Sequence, residues 1–198
     1  DRVIQQGIAQ KLQNIWEPLF SDSSYGYRPR RSGQQAIQKV KEYAEEGYRY
    51  AVSVDLSKYF DTLNHELLMN LLHRKIQDKR VLRIIKKYLK SGVMEKGVVS
   101  KTEEGSPQGG PLSPLLANIY LNEFDWEMHR RGVKTVRYAD DIVVFAKSKR
   151  AAERLLESSR RYLEGKLKLK MNTEKSKVTS IFAVKEFKFL GFCIGRNV

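Results

Sequence analysis

Three aspartates in this chain are of a type and spacing that could hold a cation. Asp140 and Asp141 lie side by side in the run Val136-Arg137-Tyr138-Ala139-Asp140-Asp141-Ile142-Val143-Val144-Phe145. Side chains alternate along a strand, so two neighbouring acids in mid-strand would drive one charge into a buried face. A tight turn between two short strands removes the conflict by holding both carboxylates at a hairpin tip. Asp55 ends a second apolar run, Val52-Ser53-Val54. Carboxylate oxygens are the hard ligands that divalent cations prefer. Three of them could hold two magnesium ions about 3.5–4 Å apart, a pair that activates the attacking oxygen and stabilises the leaving oxygen of a phosphoryl transfer. Alone, Asp55 would serve equally well to cap the turn that follows; beside Asp140 and Asp141 the metal reading is favoured.

Two further segments could bind rather than react. Gly105-Ser106-Pro107-Gln108-Gly109-Gly110-Pro111-Leu112-Ser113-Pro114 restricts its backbone with glycine and proline and can approach a ligand closely. Gln108 offers an amide donor and acceptor there, although an ordinary loop before a capped helix has the same composition. Tyr25, Tyr27, Arg28, Arg30 and Arg31 cluster in one short loop. Arginines neutralise phosphates and tyrosines stack on bases; a structural loop with its tyrosines packed underneath is the alternative. The whole chain is basic, with net charge +14 and pI ≈ 9.8, which points to a polyanionic partner. The lysines of Lys166-Leu167-Lys168-Leu169-Lys170 alternate with leucines and leave one charged face, which an edge strand guarded by lysines explains equally well. His65, His73 and His129 lack metal-ligand spacing, and Trp16, Trp126 and Met171 read as core residues.

The elements that must position these residues follow from periodicity. Helices are expected over 2–19 and 33–46, after caps at Asn64 and Asp78, from Ser113-Pro114, and over 149–164. Strands are expected over 50–55, 133–138, 142–147, 177–182 and 186–194, with a small hairpin in 92–104 turning near Lys96-Gly97. From Tyr50 onward this order matches the split βαβ pattern of a ferredoxin-like sheet, an α+β fold, with the helical first 48 residues as an annex. With one cysteine, Cys193, an internal disulfide is impossible and a reducing compartment is expected. No stretch of about 20 apolar residues suggests a membrane span, and residues 1–6 do not read as a signal peptide.

Tyr138-Ala139-Asp140-Asp141 resembles the signature of reverse transcriptases, and Asp55 resembles the first catalytic acid of the same polymerases. Pro107-Gln108-Gly109 with Pro111-Leu112-Ser113-Pro114 resembles their nucleotide-pocket loop. Asn172-Thr173-Glu174-Lys175-Ser176-Lys177 resembles the next motif, and Phe189-Leu190-Gly191-Phe192 the primer-grip region. Asp1-Arg2-Val3-Ile4-Gln5-Gln6 and Ser24-Tyr25-Gly26-Tyr27-Arg28-Pro29 look like the fingers of group II intron reverse transcriptases, or maturases. These motifs occur in family order along nearly the whole chain.

The resemblance implies a right-hand polymerase with partial fingers at 1–48 and a palm at 49–198. The palm would be a split βαβ antiparallel sheet with its helices on one face. It implies Asp55, Asp140 and Asp141 as catalytic acids holding two Mg2+, with Mn2+ as a substitute and the Leu56 carbonyl as an additional ligand. Phe60 stands at the family's sugar-gate position, where an aromatic ring excludes a 2′-hydroxyl. Gln108 would line the incoming nucleotide, Arg2 would contact its triphosphate, and Lys175 would lie near the leaving pyrophosphate, where a solvated lysine is an equal alternative. Tyr25, Tyr27, Arg28, Arg30 and Arg31 are expected to touch template RNA. The implied partners are intron RNA, a DNA primer or target and deoxynucleoside triphosphates, without a membrane and with a homodimer left open. The implied setting is a bacterial cytoplasm, or alternatively an organelle. The family continues past the primer grip into a thumb, so the chain reads as a fingers–palm portion of a longer protein. A splicing cofactor with an idle polymerase site, and retron or CRISPR-associated lineages, are the alternatives.

Overall fold

Two apolar runs with period-two alternation form the centre of the sheet. The computed structural model describes residues 2–91, 94–95, 98–99, 104–107, 109–183 and 185–194, with the backbone alone at 94–95 and 98–99. Strand β1 (Tyr50–Val54) pairs antiparallel with β5 (Asp141–Ala146) in the register Val52↔Val144 and Val54↔Ile142. Its other edge carries β6 (Lys177–Ser180), also antiparallel, and β4 (Thr135–Tyr138) pairs antiparallel with β5. The spatial order is β4-β5-β1-β6. This is the ferredoxin-like order expected from the split βαβ pattern. Hairpin strands β2 (Met94–Glu95) and β3 (Val98–Val99) form a separate pair; the expected turn at Lys96-Gly97 lies outside the described residues.

Alternation sends the two faces of the sheet into two cores. Val52, Val54, Ile142, Val144 and Ala146 join one apolar cluster, and Ala51, Val136, Val143 and Phe145 join the other. The first core is closed by α1 (Arg2–Trp16), α3 (His65–His73), α4 (Lys79–Lys90), α5 (Ser113–Arg130) and α6 (Lys149–Gly165). The second is closed by α2 (Gly33–Glu45), through Ala36 and Val40, and by Phe187, Phe189 and Ile194. Helices α5 and α6 thus share one face of the sheet, while α2 packs on the other.

The helix starts follow capping chemistry. Ser32 and Gln35 form a reciprocal capping box on α2, Asn64 Oδ1 accepts from the Leu67 amide at 2.9 Å, and Asp78 Oδ1 accepts from Arg80 at 2.8 Å. Pro18 ends α1 early, and the chain continues as a 3-10 turn over Glu17–Leu19. The strand expected over 186–194 is not formed. Leu190 (φ +50°) and Gly191 (φ +80°) make a tight turn closed by the Phe189↔Phe192 bridge, and Phe187 and Phe189 bury their rings without a ladder. Trp16 is core as expected, but Trp126 is 38% exposed. Its indole Nε1 donates to the Leu19 carbonyl and its ring stands edge-on to His129, which fixes it at the surface. Among the described residues no helix is long and apolar enough to cross a membrane.

Candidate active site

Register places the acids. Since Val54 faces Ile142, the next residues outward on the paired strands are Asp55 and Asp141. Tyr138 and Asp141 close a two-residue hairpin whose turn is Ala139-Asp140, with Ala139 at φ +57°. Asp140 therefore occupies the turn and Asp141 the first position of β5, so neither charge enters a core. Asp55 is anchored by its backbone to the 172–176 loop. Its amide donates to Ser176 Oγ (3.0 Å), and its carbonyl accepts from the Asn172 amide (2.8 Å) and the Ser176 hydroxyl (3.3 Å). These bonds leave the carboxylate to the site.

Electrostatics show what the acids would accept. Partial burial raises the Asp141 carboxyl above its ordinary value, and the charges of Asp140 and then Asp55 raise it further. Among the described residues, no ion pair neutralises any of the three. Nor do any three His, Cys, Asp or Glu side chains close into a preformed ligand cage there. An accumulation of hard, uncompensated carboxylates fits divalent metal. Leu56 pairs with Met171 in an antiparallel bridge whose bonds run through the flanking residues, Asn172 to Asp55 and Ser57 to Lys170. That pattern turns the Leu56 carbonyl away from Met171.

A cavity of about 1030 Å³ brings together Arg2, Tyr27, Phe60, Gly109, Gly110 and Pro114. Phe60 sits in a short 3-10 turn, Tyr59–Asp61, with its ring edge-on to Tyr59 at 5.5 Å. The Tyr59 hydroxyl is fixed on the Ala117 carbonyl at 2.6 Å. The segment leading to Gly109 and Gly110 is stitched to this turn and to the residues just after it: the Ser106 amide donates to the Phe60 carbonyl (2.6 Å) and the Gly105 amide to the Leu63 carbonyl (2.8 Å). Tyr88, Ser106 and Ser113 hydroxyls close it with a hydrogen-bonded cluster. Gln108 lies outside the described residues. Lys175 is exposed on the loop that anchors Asp55 and does not line the cavity.

The basic-aromatic loop divides. Tyr27 is 55% exposed and Arg30 is exposed, as nucleic-acid contact requires. The expectations for Tyr25 and Arg28 are corrected, because both are buried. The Arg28 guanidinium is spent on Glu17 (2.8 Å) and on the carbonyls of Ser21 and Ser24, with the Phe20 ring beneath it. Tyr25 packs in the second core with the Arg31 guanidinium over its ring, and Arg31 also pairs with Asp22. These groups fold the loop.

Motif reading missed the polar groups behind the hairpin. Asn118, Asn122 and Asp125 recur at helical spacing on the buried side of α5, and Arg137 is a fully buried cation in β4. The signal was a polar stripe within the otherwise apolar buried face of the helix. Asn122 receives the Ser21 amide and donates to the Leu19 carbonyl, while Asp125 receives Arg137.

An antiparallel sheet of this order, with acids at the end of β1 and on the β4–β5 turn, defines the palm of a right-hand nucleic-acid polymerase. The chain belongs to the reverse transcriptase family, whose model, described as "Reverse transcriptase (RNA-dependent DNA polymerase)", matches residues 1–194. It is 36% identical to Protein YkfC of Escherichia coli K12 across 91% of this chain and 58% of that protein. It is 30% identical to the group II intron-encoded protein LtrA of Lactococcus lactis across 98% of this chain and 43% of LtrA. The chain thus spans about half the length of these relatives. LtrA bears out the resemblance to group II intron reverse transcriptases and maturases. In fold alone, telomerase from Candida albicans superposes with TM-score 0.69 at 15% identity, covering 97% of this chain and 36% of the telomerase chain.

Proposed function

We propose that this chain is the fingers–palm part of a group II intron RNA-directed DNA polymerase, with residues 1–48 as partial fingers and 49–198 as palm. It extends a DNA primer with deoxynucleotides on an intron RNA template. The observation that carries this reading is that the register of β1 and β5 faces Asp55 toward Asp141, with Asp140 in the adjoining turn. Phe60, five residues after Asp55, lines a cavity large enough for a nucleotide.

Each group has a defined task. Asp55, Asp140 and Asp141 would hold two Mg2+, with the Leu56 carbonyl as an additional ligand; when bound, the ions would lower the barrier to displacement at the α-phosphorus by stabilising the entering and leaving oxygens. Arg2 presents a planar guanidinium to the triphosphate. The Gly109-Gly110 wall admits the base and sugar closely, and the Phe60 ring occupies space a 2′-hydroxyl would need. Tyr27, which lines the cavity, and the exposed Arg30 contact the template strand. Catalysis on this plan is mostly positioning and charge stabilisation. The same basic surface would bind intron RNA and support splicing.

Primer extension by the full-length protein on an RNA template with Mg2+ tests the assignment. Asp140→Ala is expected to reduce synthesis to background while RNA affinity persists. Undiminished synthesis by that variant would sink the proposed role of the acids.

A further inference from the structure

Arg137 lies one residue before Tyr138, which closes the acid-bearing hairpin, and its side chain is entirely buried. Every guanidinium hydrogen has an acceptor. Nε donates to both Asp125 oxygens at 2.9 Å, and Nη2 to Asp125 Oδ2 (2.6 Å) and Ser24 Oγ (2.9 Å). Nη1 donates to Asn118 Oδ1 and to the Ala139 carbonyl, both at 2.8 Å. The last bond grips the hairpin turn itself. A buried ion pair is a poor source of stability, because desolvation offsets most of the attraction and an apolar pair of similar volume often serves as well. A fork with its acceptors fixed on three elements does define a geometry, however.

The turn is also held from outside. Asn118 Nδ2 donates to the Gly26 carbonyl at 2.8 Å. Gly26 lies so close to the turn that a Cβ there would overlap the Ala139 amide nitrogen and come within 3.0 Å of the Tyr138 carbonyl carbon. The preceding residues complete the grip by extending the sheet at the free edge of β4: the Arg137 amide donates to the Ser23 carbonyl and the Tyr25 amide to the Arg137 carbonyl, both at 2.8 Å. The next residue, Tyr27, lines the cavity with Phe60.

Building on the polymerase reading, we propose that Arg137 is a positioning residue that, through Asn118, Ala139 and Gly26, holds the Asp140–Asp141 hairpin at a fixed height against the nucleotide cavity. Arg137 touches neither substrate nor metal. It makes the fingers segment at 24–27 and the acid turn move as one piece, so that carboxylates and nucleotide keep their relative positions.

Three variants of the full-length protein test this in primer extension, with melting temperature and template–primer affinity measured alongside. Gly26→Ala leaves the Arg137–Asp125 pair intact and pushes the turn. Arg137→Lys keeps the charge opposite Asp125 but cannot reach Asn118 and Ala139 together. Ala139→Gly relaxes the turn without adding volume. A displacement near 1 Å can cost on the order of 100-fold in rate. The expected result is a loss of kcat of that order in Gly26→Ala and Arg137→Lys and a smaller loss in Ala139→Gly. The KM for deoxynucleotide should stay near wild type, and the Mg2+ concentration for half-maximal rate should rise severalfold. Rate losses that only follow falling melting temperature and template affinity, with the Mg2+ requirement unchanged, would make Arg137 purely structural and overturn the proposal. Wild-type rate and Mg2+ dependence in the variants would overturn it as well. Asp140→Ala is run in parallel: if synthesis does not depend on Asp140, the polymerase reading fails first, and that failure is distinct from a failure of the positioning role.

Discussion

Phe60 presents its ring to the cavity while Tyr59, edge-on beside it, is held by its hydroxyl on α5. The ring is therefore backed by a buried partner and cannot simply swing away from a larger sugar. Phe60→Val is expected to lower the preference for deoxynucleotides over ribonucleotides by about tenfold or more, a change of roughly 1.4 kcal/mol in relative transition-state binding. The ratio of kcat/KM for the two substrate types measures it, and unchanged discrimination would remove the gate assignment. At this scale the sequence was legible wherever chemistry is local. Alternation along the strands was enough to put Asp55 at the end of β1 and Asp140-Asp141 at a hairpin tip, as the register shows. Arg28 and Tyr25 were misread because residue type alone cannot show Glu17, which lies 11 positions earlier and consumes the Arg28 charge. Arg137 was passed over because its partners come from α5 and the fingers loop, and only folding assembles them.

The segment at 104–107 is held by close packing. Gly105 holds φ +91°, and a Cβ there would meet the Asp61 carbonyl oxygen at 2.9 Å. Gly105→Ala is expected to destabilise the protein by about 1–3 kcal/mol, the range for a non-glycine residue forced into such backbone. It should also raise the deoxynucleotide KM, since the displaced loop forms a wall of the cavity. Urea denaturation and steady-state kinetics check the two effects; a variant normal in both would deny the loop its shaping role. Helix starts were legible because Ser32, Asn64 and Asp78 cap by local bonds. The strand expected over 186–194 was not, because buried aromatics at close spacing suit a turn folded onto a sheet face as well as a strand. What separates the two is the positive φ of Leu190 and Gly191.

Across the whole molecule, the charge of +14 is the property most exposed to solution conditions. Affinity of the full-length protein for single-stranded RNA should fall linearly in log–log form with salt. Each neutralised phosphate contributes a slope of about −0.7, so four or more give roughly −3. A filter-binding series in potassium chloride measures this, and a flat response would count against a phosphate-binding surface. The change in element type near residue 48 was legible, but the core shared across it was not. Tyr25, Ala36 and Val40 pack with Val136 and Phe145, and the bond from Arg137 to Ser24 spans 113 positions. That span has a consequence during synthesis. A ribosome adds about 5–20 residues per second, so the segment around Ser24 leaves it on the order of ten seconds before the strand it will lie against. Through that interval the Ser24 hydroxyl and the apolar stripe of α2 lack the sheet partners they have in the finished fold, so this stretch is made well before it can be secured.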